Sequence, residues 1–167
     1  MKISVQYLTF NFLLAVIIFG VVIAQSKTEV GGSADTTKYT IENCINKFSL
    51  EKIEKTKVGY QYWFADPNLA DGKTLKMSVV APHSATHPPH VHAEDEFFFI
   101  LEGKAELYLK GKWTPAEPFT SFYCPSNVEH GIRNAGDTEL KYLVIKQYQK
   151  DNPVRLEFMK KQGTAGQ

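Results

Sequence analysis

What the chain lacks narrows the search first. It has no excess of charge, with 19 basic side chains against 18 acidic ones in 167 residues. No basic stripe and no helix-turn-helix pattern makes up for that balance locally, so nucleic acid is not an expected partner. There is no internal repeat and no low-complexity tract within the folded part. Helical periodicity is almost missing too: only "IENCINKFSLEKIEK", with Ile41, Ile45, Phe48 and Ile53 apolar, hints at a helix, and an edge strand followed by a turn would fit it as well.

One long apolar run is present, and it stands at the N-terminus. Lys2 precedes an unbroken apolar stretch from Phe12 to Ala24, and polar Gln25, Ser26 and Lys27 follow it. This is the layout of a secretory signal peptide over residues 1–24. Val22 and Ala24 are small enough for cleavage after Ala24, and Gln25 in place of a cysteine argues against a lipoprotein. The expected location is therefore secreted or periplasmic, with no stable membrane association after cleavage. The alternative is an uncleaved N-terminal membrane anchor, because a window widened back to Tyr7 approaches the roughly 18 residues a spanning helix needs.

Cleavage leaves 143 of the 167 residues, with 18 basic against 18 acidic, the length of one domain with one core. Residues 25–38 hold too little apolar surface to offset the entropy of ordering and are expected to be a flexible leader. The folded domain is placed at 39–158, and 159–167 form a polar tail. Export also changes how Cys44 and Cys124 are read. In an oxidising compartment the two could pair, closing a loop of about 80 residues for roughly 4 kcal/mol at most. The other reading is inert buried thiols.

The rest of the chain reads as strands. "KVGYQYWFA", "TLKMSVVA", "EFFFIL", "KAELYLK", "TSFYC" and "LKYLVIKQY" are short, aromatic and β-branched, with turn signals at "DPNLADGK", "KGKW" and "NAGD". That spacing predicts an all-β antiparallel sandwich or barrel. In "KAELYLK", Ala105, Leu107 and Leu109 alternate with Glu106, Tyr108 and Lys110, so one face meets a core and the other meets water. "EFFFIL" does not alternate, which asks for cover on its outer face, and a homodimer would supply it.

Metal-friendly side chains are crowded into "HPPHVHAEDEFFFILEG". Side chains two apart on a strand point the same way, so His90 and His92 share a face, and Glu96 has their parity. Two imidazoles and a carboxylate make up most of a metal's coordination shell. An isolated pair of this kind is a weak signal, and it more often marks a solvated loop at a strand entrance. Residues downstream add weight: Gly103 stands seven after Glu96, and "YCPSNVEHGIRN" carries Pro125, His130 and Asn134.

With these residues in view, the chain resembles the cupin superfamily. "HVHAEDEFFFILEG" is similar to the first cupin motif and "PSNVEHGIRN" to the second, and together they span about residues 84 to 134. The resemblance implies a single small antiparallel β-barrel of the jelly-roll type, with His90, His92, Glu96 and His130 in the family's metal-ligand positions. Three departures touch no ligand. Ser84 and Phe119 stand where the motifs usually begin with glycine, and Asn127 replaces a turn glycine, a mild change because asparagine tolerates positive φ.

Three imidazoles and one carboxylate suit one divalent transition metal ion, Fe, Mn, Zn, Ni or Cu, with one or two positions left open. Such an ion polarises an oxygen or acidifies bound water. The resemblance admits a metal-dependent enzyme of dioxygenase, isomerase or lyase type acting on a small oxygenated molecule. An intact four-ligand set favours the enzyme; the alternative is a binding module that holds a metal and a small ligand such as a sugar without turnover. His83 and His87 are read as rim residues or acid/base groups. Glu94 and Asp95 are read as a charged turn, with Glu94 the reserve ligand. Tyr123 is read as core or interface, or else as a proton donor near the site. Trp63, Tyr62 and Phe64 are packing residues first and a stacking platform second.

Overall fold

Alternating aromatic and β-branched segments become nine antiparallel strands in the computed structural model, which describes residues 39–154 together with 156, 157 and 160. The signal peptide or anchor at 1–24, the leader at 25–38 and the tail apart from Lys160 lie outside the described residues. Among the described residues, no helix is long and apolar enough to cross a membrane.

The ambiguous segment after Tyr39 divides between both of its readings. Helix α1 is one turn, Ile41–Cys44, with a reciprocal cap: Thr40 Oγ1 accepts from Asn43 N, and Asn43 Oδ1 accepts from Thr40 N at 3.0 Å. A 3-10 turn at Leu50–Lys52 follows, and then the three-residue edge strand β1, Glu54–Thr56. Nothing in α1 is buried. The segment is held instead by Asn46, whose Nδ2 donates to the carbonyls of Trp63 and Phe64, and by the Tyr62 hydroxyl, 2.7 Å from both Asn46 Oδ1 and Lys47 O.

The remaining strands are β2 (Gly59–Ala70), β3 (Lys73–Val80), β4 (Glu96–Glu102), β5 (Ala105–Leu109), β6 (Lys112–Ala116), β7 (Ser121–Cys124), β8 (His130–Asn134) and β9 (Leu140–Gln147). Six strands form one sheet in the order β1-β2-β3-β9-β4-β7, and three form a second in the order β6-β5-β8. Two readings shift. "DPNLA" is expected to be a turn but continues β2, with register irregularities after Trp63 and Ala65. "KGKW" turns only over its first residues and then opens β6, which tolerates Pro115 because β6 is an edge strand.

The core lies between the sheets: Val80, Phe98, Ile100, Leu140, Tyr142 and Val144 from the larger face Ala105, Leu107 and Ile132 from the smaller. The all-β, jelly-roll expectation holds. Along β4 burial alternates after all: Glu96, Phe98 and Ile100 are buried, while Phe97 is 45% exposed and Phe99 is half-buried on the outer face. Cys124 is buried in the core and Cys44 is exposed on α1, and both are free thiols, so the disulfide alternative is overturned. Burial first, and then the Glu96 charge, push the Cys124 thiol far above its ordinary value, with Lys146 opposing them.

Candidate metal centre

Two prolines deliver the first histidine. Pro88 and Pro89 favour an extended backbone, and His90 then forms a two-way bridge with His130 on β8: His90 N donates to His130 O at 3.0 Å, and His130 N donates to His90 O at 3.1 Å. Gly131 lets Pro89 lie against β8, since a Cβ there would stand 3.3 Å from Pro89 Cα. The turn before β8 fixes the second histidine. Asn127, at φ +58°, donates its N–H to His92 O at 2.8 Å, and Ser126 Oγ donates to Ala93 O. Glu96 opens β4 with its carboxylate turned inward and buried.

These elements bring His90, His92, Glu96 and His130 together, each offering one donor atom, with all four atoms within 4.8 Å of one another. The imidazole rings stand 4.7 to 5.3 Å apart between centroids. Hydrogen bonds set their tautomers. His130 Nδ1 donates to Val128 O at 2.7 Å and His90 Nδ1 to Pro88 O at 3.2 Å, which leaves each Nε2 with a lone pair. At His92 the fixing group is Lys146, whose ammonium can only donate and lies 3.0 Å from Nε2. The His92 proton is then on Nδ1. That nitrogen is buried and faces Glu94 Oε2 at 3.6 Å, too far for a hydrogen bond.

Acceptors therefore converge. His130 Nε2 lies 3.2 Å from His92 Nε2 and 3.1 Å from Glu96 Oε1, contacts that only a proton or a cation between them relieves. The donor set thus fits a divalent transition metal, and it suggests a metal site without specifying the metal. Burial pushes the Glu96 carboxyl up, but Lys146, through its charge and its hydrogen bond, outweighs this together with His92 and His130, so the group is held below the usual range. His90 is lowered as well, by burial first and then by its histidine neighbours, against the opposing pull of Pro88 O and Glu96.

The other candidates separate. Glu94 is not in the cluster; it stands behind His92, and its Oε1 takes a hydrogen bond from Asn152 Nδ2. His87 is exposed at the mouth of the adjoining cavity, its ring 5.7 Å from that of His90. His83 pairs with Asp137 at 2.9 Å in an exposed turn away from the cluster. Tyr123 is 47% exposed on the outer face, packed on Phe97 and bonded to Asp95, so it is no proton donor to this site. Asn134 is structural: its amide donates toward the carbonyls of Val80, Ala81 and Thr138.

Two residues that sequence reasoning passed over stand at the site. Lys146 is directly opposite Glu96 in the β4–β9 ladder and donates to its Oε2 at 2.9 Å. Lys76 on β3 lines the same cavity, a space of about 410 Å3 that also includes His90, Glu96, Trp63 and Tyr148 in its wall. Their signal was parity. Lys146 continues the inward row of Leu140, Tyr142 and Val144, and Lys76 lies between inward Thr74 and Ser78.

Comparison with known proteins agrees with this geometry. Residues 76–146, from β3 through β9, match the family described as Cupin domain. A Cupin 2 conserved barrel domain protein from Salinispora arenicola is similar in structure at 18% identity, covering 71% of this chain and 96% of that one, with a TM-score of 0.53. The plu4264 protein from Photorhabdus luminescens is similar at 18% identity, 71% and 97% coverage and a TM-score of 0.54. KdgF from Halomonas sp. is similar at 17% identity, 59% and 90% coverage and a TM-score of 0.51. These findings support a cupin superfamily protein. Identities this low speak for the fold alone, and among curated proteins nothing matches.

Proposed function

We propose that this cupin is an exported metal-dependent enzyme acting on a small oxygenated organic molecule, with His90, His92, Glu96 and His130 holding one divalent transition metal ion. The observation that carries the reading is four donor atoms within 4.8 Å of one another, opening on a cavity of about 410 Å3. A bound ion would supply Lewis acidity toward an oxygen of the substrate, or acidify a bound water. The chain's own part is to aim the Nε2 lone pairs of His90 and His130 and one carboxylate oxygen at one centre, with His92 Nε2 beside them under the Lys146 ammonium, to exclude bulk water behind buried His130 and Glu96, and to keep a polar cavity open on one side. Lys146 favours catalysis over mere binding, because it puts a proton donor within 3.0 Å of two of the four donors.

Elemental analysis of protein purified without added metal, beside His92→Ala and His130→Ala, tests the site. Close to one ion per chain is expected in the parent, and traces in both variants; equal traces in all three would reject it. Oxygen uptake and product analysis over diols, uronates and phenolics then separate dioxygenase from isomerase or lyase chemistry. Silence throughout, with metal present, would favour the binding module.

The same reading includes a homodimer, supported by exposed Phe97, Tyr123 and Ile145, which are neighbours across β4, β7 and β9. Light scattering on the purified chain tests it. Export is tested by N-terminal sequencing of the protein recovered outside the cytoplasm, with Gln25 the expected first residue.

A further inference from the structure

We infer that the cavity beside the cluster takes a small organic carboxylate, with the Lys76 ammonium receiving the carboxylate group. The inference rests on the proposed metal-dependent reading and names the substrate class for the same site. Its basis is the charge of the walls. The ionised side chains lining the cavity are Lys76, Lys146 and Glu96. Glu96 is the one carboxylate: its Oε2 is paired with Lys146, and its Oε1 faces His130 inside the cluster and not the open cavity wall where Lys76 stands. Lys146 is neutralised in that pair.

Lys76 is not neutralised. Among the described residues its ammonium has no hydrogen-bond or ion-pair partner; it stands 5.1 Å from the centroid of the Trp63 ring, on the residue directly opposite it in the β2–β3 ladder. An ammonium withdrawn from water without a counter-charge is costly. Burial is the first cause lowering its pKa, Lys146 adds to it, and the charges of Glu96 and Glu54 only partly oppose them. Glu54 itself is occupied at the exposed edge, accepting from Gln61 Nε2 at 2.6 Å and Trp63 Nε1 at 3.2 Å. A ligand carboxylate would supply the missing charge, and any divalent ion held by the cluster would strengthen the attraction. Neutral Ser78, Thr86 and Gln61 in the same wall can bond hydroxyl groups on the rest of the molecule. The volume lies toward the small end of ligand pockets, about 300 to 1,000 Å3, enough for a hydroxy acid or a single sugar acid.

The test is calorimetric titration of the full protein with three matched pairs of probes: lactate and 1,2-propanediol, galacturonate and galactose, salicylate and salicyl alcohol. At least one carboxylate should bind tenfold or more tightly than its neutral partner. Lys76→Met and Lys76→Gln should reduce that preference to within about threefold, and Lys76→Arg should keep most of it. Far-ultraviolet dichroism and metal content, unchanged in each variant, show that fold and cluster are intact. If no carboxylate outbinds its neutral partner, or if the preference survives in Lys76→Met or Lys76→Gln, the inference falls. The parent comparison decides by itself should both neutral variants fail to fold. Preference for a carboxylate in a chain that holds no metal would keep this inference and remove the metal reading; metal-loaded protein indifferent to the carboxylate would do the reverse.

Discussion

Glu96 and Lys146 face one another across the β4–β9 ladder, and the lysine ammonium donates to Oε2 at 2.9 Å while the other carboxylate oxygen faces His130. The pair is almost out of water, with side-chain exposures of 4% and 11%. Removing one partner of such a pair leaves the other charge unmatched, which costs about 3–5 kcal/mol. Lys146 also occupies His92 Nε2 and Glu96 Oε2, so an incoming ion has to displace it from two of the proposed ligands. Lys146→Met should therefore lower the stability of metal-free protein by about 3 kcal/mol and raise metal affinity about tenfold or more. Denaturant titration in chelator and competition against a metal indicator measure the two effects. Weaker metal binding in the variant would show that the lysine supports the site instead of competing for it.

Backbone conformation makes a second prediction at two positions where the motifs this chain resembles usually carry glycine. Gly103 follows β4 at φ +88°, and a Cβ there would come within 2.5 Å of Glu139 O, a backbone atom that cannot step aside. Phe119 sits at φ +64° with an 81% exposed side chain. Gly103→Ala should destabilise by roughly 3 kcal/mol or more, through the named clash and strain. Phe119→Gly should stay within about 1 kcal/mol of the parent, because relief of left-handed strain offsets the added chain entropy. Melting curves of the two variants give the comparison, and equal losses would contradict it.

The site was legible because its chemistry is local in sequence. His90, His92 and Glu96 lie in one run, and His130 lies in a second run whose turn residues announce themselves. Positive φ at Phe119 and Asn127 shows that two of the three departures from glycine keep a left-handed backbone, while Ser84 does not take one. What stayed hidden depends on register between distant strands. That Lys146 meets Glu96, and Lys76 meets Trp63, is decided by pairing across 50 and 13 residues of chain, which no short window contains. Glu94 was ambiguous for the same reason, since its partner Asn152 comes from beyond β9. Strand β6 hides behind the turn signal "KGKW", whose last residues open it.

The two cysteines give a third prediction. Cys44 is exposed and Cys124 is fully buried, with its thiol held protonated by the surrounding core. A thiolate-selective reagent at pH 8 should label one thiol per folded chain, at Cys44, and two after unfolding without reductant. No labelling in either state would mean the thiols are bonded, and labelling of Cys124 in folded protein would mean that the β7 edge opens readily.

Protons compete with any metal for the cluster, and the direction of the shifts at His90 and Glu96 puts their share of that competition below their ordinary values. Burial lowers His90 below its ordinary 6.5 despite the opposing effect of Pro88 O, and Glu96 is held below 4.5 by Lys146 and the two histidines against the effect of burial. Both groups therefore bind fewer protons folded than unfolded just under their ordinary values. Their contribution to stability is complete above those values and is lost as pH falls through the folded ones, first in the window below 6.5 for His90, then in that below 4.5 for Glu96. The proton that keeps His90 from donating its lone pair is absent throughout the neutral range. Metal affinity should accordingly show no His90-dependent decline between pH 8 and about 6.5, and then fall by up to roughly tenfold per pH unit as this imidazole takes its proton. Chelator competition from pH 8 to 5, run beside His90→Gln, isolates the effect: the parent's added steepness below 6.5 should vanish in the variant. An identical pH profile in both proteins would remove His90 from the ligand set and leave the other three side chains to hold the ion.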